Sequence, residues 1–100
     1  MDNISSEFFQ NVLDKVGFDK NIYPMNYHGL IGFLATKWIF IIPYKEDEVT
    51  GWQWVGFEID NENNKIGFSE DFTSYYTYED MLNAAIMESY CYLLSNIENE

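Results

Sequence analysis

The chain has 100 residues, a length that corresponds to one domain, and we therefore predict a single domain over residues 1–100. A composition that is 47% hydrophobic and 19% aromatic excludes a disordered acidic tail. A formal net charge of −12 argues against nucleic acid and anionic membranes as ligands, because both would be repelled.

The first predicted element is a helix from about Ser5 to Val16. Ser5 is a suitable N-cap, and Ile4 before it can pack on Phe9 as a hydrophobic staple. Gly17 provides the stop, because glycine is favoured just after the end of a helix. The apolar residues of this segment recur at helical spacing and form an apolar stripe, which is typical of a helix. They are Phe8, Phe9, Val12, Leu13 and Val16.

The middle of the chain is predicted to contain short strands after a loop over residues 19–28. Leu30 to Leu34 is apolar and is interpreted as a strand. Lys37 to Ile42 is rich in aromatic and β-branched residues and ends at a proline, which is typical of a strand. Trp52 to Asp60 and Lys65 to Ser69 form a predicted hairpin around a polar turn. These connections are too short for parallel crossovers, so we expect antiparallel pairing.

The last predicted element is a helix from Tyr78 to about Ile97. Thr77 is a suitable N-cap, and Asp80 stands three residues later, where it can complete a capping box. One face of this helix is predicted to pack on the sheet, because its members recur at helical spacing. That face consists of Tyr78, Leu82, Ala85, Ile86, Ser89 and Leu93.

The order of these elements predicts an α+β fold. We expect a three- or four-stranded antiparallel sheet flanked by an N-terminal and a C-terminal helix, in the order α-β-β-β-β-α. The most economical packing places both helices on one face of the sheet, which gives a two-layer sandwich.

The predicted sheet has more apolar residues than one covered face needs. In the strand from Trp52 to Asp60, alternation separates an apolar set from Trp52, Trp54 and Glu58. If that apolar set faces the helices, two tryptophans point outward. The second face of the sheet must then be covered by another part of the molecule or by another molecule. The candidates are the loop over residues 19–28, the helices, a second subunit or a partner. The apolar set is Val55, Phe57 and Ile59, and the preceding strand likewise has Trp38, Phe40 and Ile42 opposite Ile39 and Ile41.

A second apolar face is predicted on the last helix, opposite the face that packs on the sheet. It contains Met87, Cys91 and Leu94, with Ala84 beside them. Methionine is common at adaptable binding surfaces, so this face is a candidate contact in a homodimer. The alternatives are that the helix is packed more deeply, or that these are isolated apolar residues on the surface.

Cysteine usage and hydropathy indicate the compartment. Cys91 is the only cysteine, so no intramolecular disulfide can form, which favours a reducing cytoplasm. Residues 1–6 contain neither a basic region nor an apolar run, so no signal peptide is predicted. The longest apolar stretch, Trp38 to Ile42, is five residues long and too short to span a membrane. We therefore expect a soluble cytoplasmic protein.

Few residues favour catalysis or metal binding. His28 is the only histidine, and Cys91 has no basic neighbour in sequence to activate its thiol, so no nucleophilic triad is predicted. Residues 60–64 alternate oxygen-bearing side chains as a calcium loop does, but Lys65 stands where such a loop needs glycine. We interpret this segment as a polar hairpin turn, and we predict no enzyme activity, no cofactor and no metal site.

The charge is unevenly distributed along the chain. Residues 1–45 hold four acids and four lysines, whereas residues 46–100 hold thirteen acids and a single base, Lys65. The sequence contains no arginine. Such a surface attracts basic partners and can imitate the field of nucleic-acid phosphates. The alternative is that the acidity only keeps the protein soluble.

Together these features favour a small inhibitor that occludes a basic enzyme acting on nucleic acid, such as a nuclease or a toxin. Phage and mobile-element proteins that block nucleases, including anti-CRISPR proteins, and immunity proteins share this size and charge, an analogy of class alone. We expect no direct binding to nucleic acid or membranes. The alternatives are a small-ligand binder and a dimeric assembly protein, both using the aromatic sheet face. The predicted partner-binding residues are Trp52, Trp54, Tyr75, Tyr76, Glu46, Asp47, Glu48, Glu58, Glu70 and Asp71.

Overall fold

A computed structural model describes residues 6–45, 51–69 and 74–99 of the chain. Within these ranges it shows an α+β fold in which the strands form one three-stranded antiparallel sheet, with a helix near each end of the chain. These features of the predicted fold are confirmed. The elements are α1 (Glu7–Val16), α2 (Tyr27–Thr36), β1 (Ile39–Tyr44), β2 (Gln53–Ile59), β3 (Lys65–Gly67) and α3 (Tyr78–Glu98).

The first helix begins and ends through local hydrogen bonds that the sequence encodes. The Ser6 hydroxyl accepts the Phe9 N–H at 3.2 Å, so Ser6 is the N-cap. The predicted cap, Ser5, lies outside the described residues. Gly17 adopts the left-handed conformation at φ 83°, which glycine reaches without strain and which ends α1 as predicted.

A second helix, α2, replaces the predicted strand from Leu30 to Leu34, so that prediction is wrong. Asn26 caps this helix, because its side chain accepts the Gly29 N–H at 2.9 Å. The loop predicted over residues 19–28 therefore ends at this cap. Gly29 does not break the helix; a Cβ there would lie on the Pro24 carbonyl oxygen, so glycine permits close packing between the loop and α2. The buried residues of α2 are Gly29, Leu30, Phe33 and Leu34.

The sheet has the order β1-β2-β3. In the register of β1 and β2, Phe40 lies opposite Phe57 and Ile42 opposite Val55. The first strand begins at Ile39, two residues later than predicted, because the chain must first turn out of α2. After β3, the chain returns to β2, where Tyr75 forms an isolated bridge with Trp52.

The core lies between the sheet and the helices, and α3 is its longest component. The Tyr90 hydroxyl donates a 2.7 Å hydrogen bond to the Leu30 carbonyl oxygen, which fastens α3 to α2. The predicted buried face of α3 is confirmed except at Tyr78, which is 43% exposed. Tyr78 instead packs edge-on against Trp52, beyond the end of the core. The buried residues of α3 are Met81, Leu82, Ala85, Ile86, Ser89, Tyr90 and Leu93.

Candidate protein-binding surface

The two faces of the sheet differ sharply in burial. Ile39 and Trp54 lie on the side that faces the helices, and they are 1% and 2% exposed. The expectation that Trp54 points outward is therefore wrong. Alternation along β2 places Trp54 toward the helices and Val55 and Phe57 on the other side of the sheet. We call the opposite side the outer sheet face. It consists of Phe40, Ile42, Val55 and Phe57, with Trp38 at its margin.

Small residues explain why Trp54 turns inward. Gly56 follows it on the same side of β2, and a Cβ at Gly56 would lie 2.5 Å from the Phe68 ring and 2.8 Å from the Trp54 ring. The missing side chain thus leaves room for two large rings. Ala85 of α3 belongs to the same buried cluster as Trp54. Gly56 and Ala85 are the sequence signal for this orientation, but alternation alone does not reveal it.

The outer sheet face is a row of aromatic and branched side chains. The rings of Phe40 and Phe57 stack with their centroids 5.5 Å apart, and the Trp38 ring meets Phe40 edge-on at 6.4 Å. Ile42 and Val55, which are opposite each other, remain 43% and 38% exposed. The described loop and helices therefore do not cover them. An apolar row of this kind is a candidate interaction surface.

Three of the predicted aromatic residues do meet at one end of the sheet. Trp52 exchanges backbone hydrogen bonds of 2.8 and 2.7 Å with Tyr75. The Trp52 ring is half-buried, with the Tyr78 ring centroid at 4.8 Å and the Lys45 Nζ at 5.5 Å. Tyr76, next to this pair, is 96% exposed. Trp52 and Tyr75 thus lie together and pack against the buried cluster that contains Trp54, whereas Tyr76 beside them is exposed.

The predicted acidic ring can be located only in part. Glu58 is half-buried on the helix-facing side, where its carboxylate accepts a 2.7 Å hydrogen bond from the Tyr92 hydroxyl. Burial is the main cause that raises the pKa of Tyr92; a hydrogen bond with Asn96 opposes this effect, and the bond to Glu58 adds to it. Glu58 is therefore committed to the packing of α3. The other predicted acids, Glu46, Asp47, Glu48, Glu70 and Asp71, lie outside the described residues.

The second face of α3 is partly covered. Met87 and Leu94 are half-buried and pack against the core cluster beneath α1 and α2. Cys91 is also half-buried, and burial, with a smaller effect of Glu88, raises the pKa of its thiol. These contacts leave less apolar surface for the proposed dimer than a fully exposed stripe would, and they agree with the alternative of deeper packing.

Titratable residues in the described part of the chain do not form a recognisable catalytic or metal centre. His28 is exposed in the first turn of α2. Within residues 6–45, 51–69 and 74–99, no group of three or more His, Cys, Asp or Glu side chains could hold a metal ion. Asp60, from the segment that resembles a calcium loop, instead accepts the backbone N–H groups of Glu62 and Asn64 at 2.9 and 2.8 Å. The segment is a polar hairpin turn in this structure.

The structure has a cleft between the end of α2 and the β2–β3 turn, and the sequence did not predict it. Its volume is about 220 Å³, and it opens beside the outer sheet face. Trp38 precedes β1 and Asp60 follows β2, so the antiparallel register places both at the same end of the strand pair, where the Ile59 N–H donates a 2.9 Å hydrogen bond to the Trp38 carbonyl. The cleft is lined by Trp38, Ile59, Asp60, Asn61 and Asn63.

Comparisons of the chain with protein-family models, curated proteins and solved structures give no match. In the parts of the chain that the structure describes, no helix combines the length and hydrophobicity that a membrane span requires.

Proposed function

We propose that this protein is a small acidic inhibitor that binds a basic, nucleic-acid-handling protein and occludes its site. The observation that carries the proposal is the outer sheet face, where Ile42 and Val55 are exposed among aromatic rings in a chain of net charge −12. Apolar and aromatic side chains supply the affinity of protein interfaces, whereas surrounding charge supplies steering and selectivity.

The charge distribution supports a basic partner. Residues 46–100 hold thirteen acids and one base, and the outer sheet face is built in part from this acidic half of the chain. A partner that binds nucleic acid carries a positive surface for the phosphates. An acidic protein can occupy that surface by presenting a similar field, as a mimic of nucleic acid. The proposed setting is cytoplasmic, in anti-defence or immunity.

The proposed contact surface differs from the one predicted from the sequence. The outer sheet face replaces Trp54 as the apolar anchor, because Trp54 is buried beneath α3. Trp52 and Tyr76 remain candidates at the end of the sheet. Glu58 is left out, because its carboxylate is bound by Tyr92 on the other side.

The alternative function is a dimeric or small-ligand-binding protein that uses the same aromatic face. The flat stack of Phe40 on Phe57 favours this alternative, because a planar ligand or a second copy of the chain can pack on it. The two functions differ in what the face binds, so one pair of variants separates them.

The test uses two matched lysine substitutions. Ile42→Lys places a positive charge on the outer sheet face, whereas Ile22→Lys places the same charge on a 68% exposed residue before α2. Both variants should fold, because both side chains are exposed. Affinity-tagged wild-type and variant proteins are used to capture partners from a host lysate at low and high salt, and dissociation constants are then measured with the purified partner.

We expect a basic nucleic-acid-handling protein that is captured at low salt, lost at high salt, and inhibited on binding. Ile42→Lys should weaken that binding at least about tenfold, because like charges across an interface are costly, and Ile22→Lys should not. Equal binding by the two variants would remove the outer sheet face from the interface. Concentration-dependent self-association that Ile42→Lys abolishes, without a basic partner, would establish the dimeric alternative instead.

A further inference from the structure

Trp38 lines the cleft beside the outer sheet face and has an unusual backbone conformation. Its φ of 60° lies in the left-handed region, which bulky residues rarely adopt. The Trp38 N–H donates to the Ala35 carbonyl at 3.0 Å, so Trp38 occupies the position after α2 where glycine is favoured. Strained backbone of this kind is concentrated at functional sites.

Burial does not explain the presence of tryptophan at this strained position. The side chain is 61% exposed, so it gains little from the core. Its ring packs edge-on against Phe40, with the ring centroids 6.4 Å apart. Trp38 therefore places an exposed indole ring at the cleft.

The other wall of the cleft supplies a fixed negative charge. The backbone N–H of Asn64, and next that of Glu62, hold the pKa of the Asp60 carboxyl below its ordinary value of 3.8. The same bonds fix the orientation of the carboxylate. Asn63, at φ 65°, and Asn61 complete this wall with side-chain amide oxygens that can accept hydrogen bonds.

We infer that this cleft binds the cationic head of a lysine or arginine side chain from the protein partner. Indole rings attract cations to their faces, and a carboxylate neutralises the bound charge. The cleft is smaller than the range of about 300–1,000 Å³ typical of drug-sized ligands, which suits a single side chain. This inference rests on the proposed function and names the chemistry of one contact within it.

Two lysines that stand near the lining residues in sequence are engaged elsewhere, and one of them, Lys37, lies with its Nζ 5.6 Å from the centroid of the Phe33 ring. Lys65, the single base of residues 46–100, lies with its Nζ 4.4 Å from the centroid of the Phe57 ring on the outer sheet face. It does not line the cleft. A cation from a partner can therefore enter without displacing an internal ion pair among the described residues.

The first experiment titrates the protein with Nα-acetyl-lysine methylamide and follows backbone and indole N–H signals by NMR. Nα-acetyl-norleucine methylamide is the matched neutral probe. We expect saturable shifts at Trp38, Asn61 and Asn63 with the lysine probe, and none with the norleucine probe. Shifts spread over all acidic surfaces, or equal shifts with both probes, would overturn the inference.

Two charge-matched variants complete the test. Asp60→Asn removes the charge while keeping an oxygen that can accept the turn hydrogen bonds. Asp19→Asn removes the same charge from another turn, where Asp19 accepts the Asn21 N–H at 2.9 Å. We expect Asp60→Asn to weaken binding of the lysine probe about two- to fivefold and Asp19→Asn to leave it unchanged. Equal effects of the two variants would overturn the site.

Measurements on the captured partner identify the source of the cation. Weaker partner binding by Asp60→Asn than by Asp19→Asn supports a partner side chain. If the cleft binds the lysine probe specifically but Asp60→Asn and Asp19→Asn bind the partner equally well, the ligand of the cleft is a free cation. That result would overturn the assignment of the cleft to a partner side chain. The proposed function is tested separately by Ile42→Lys. A negative result for the cleft therefore leaves the proposed function standing, and a negative result for Ile42→Lys leaves binding of the lysine probe by the cleft standing.

Discussion

The Tyr92 hydroxyl donates a 2.7 Å hydrogen bond to the Glu58 carboxylate and so joins α3 to the central strand of the sheet. The Tyr92 ring also stacks on Phe68, with the ring centroids 4.2 Å apart. Tyr92 therefore makes one polar and one apolar contact with the same side of the sheet. The polar contact also removes Glu58 from the acidic surface that a partner could reach.

Tyr92→Phe should lower the free energy of unfolding by about 1–2 kcal/mol, because it leaves a half-buried carboxylate without its donor while keeping the ring. Chemical denaturation measures the change. Tyr76→Phe is the control, since Tyr76 is 96% exposed and should tolerate the loss of its hydroxyl. Equal stability of Tyr92→Phe and wild type would show that the bond to Glu58 contributes nothing.

Two glycines of α2 should respond in opposite ways to alanine. Gly32→Ala should stabilise the protein by roughly 0.5–1 kcal/mol, because nothing lies within 4 Å of the added Cβ and alanine favours the helix. Gly29→Ala should destabilise it, because the new Cβ would overlap the Pro24 carbonyl. Thermal unfolding of both variants tests this prediction, and stabilisation by Gly29→Ala would contradict the packing of the loop on α2.

At Trp38, glycine should be better tolerated than alanine. The free energy of unfolding of Trp38→Gly should be about 1 kcal/mol higher than that of Trp38→Ala, because glycine adopts a φ of 60° without the strain that alanine would have. Both variants lose the same indole, so the comparison isolates the backbone. Denaturant titration of the pair gives the difference, and a more stable alanine variant would argue against the left-handed conformation.

The stability of the protein should decline at alkaline pH. Burial raises the pKa of Tyr27, Tyr90 and Tyr92 above the ordinary value of 10.0. A raised pKa means that the folded state holds the proton more tightly, so this contribution is present below pH 10 and is lost as pH rises further. Unfolding free energies measured at neutral pH and above pH 10 test this. Tyr90→Phe should show a smaller alkaline loss than wild type, because Tyr90 is fully buried.

Elements defined by neighbouring residues were predictable from the sequence. Thr77 accepts the Asp80 N–H at 3.0 Å and starts α3 as predicted, and Gly17 ends α1. Capping involves residues three or four positions apart, so a single sequence contains the whole signal. The same holds for the hairpin between β2 and β3, whose polar turn is set by Asp60.

Features that depend on distant contacts were not predictable in this way. Gly29 weakens any helix by propensity, and its role emerges only when Pro24 is packed against it. Alternation in β2 divides its residues into two sets but does not say which set meets α3; the small residues Gly56 and Ala85 decide that in three dimensions. The cleft likewise depends on Trp38 and the β2–β3 turn, which only the sheet register brings together.

The proline in β1 has a consequence for self-aggregation. Pro43 lies opposite Trp54. The Ile59 N–H donates to the Trp38 carbonyl, and because pair types alternate along the register, Pro43 and Trp54 form a non-hydrogen-bonded pair whose amide positions face away from the partner strand. The missing donor therefore falls on the free side of β1, which is one of the two edge strands of the described sheet. An edge lacking a donor is a poor template for adding a further strand. Pro43 therefore disfavours polymerisation of the chain by strand addition at β1.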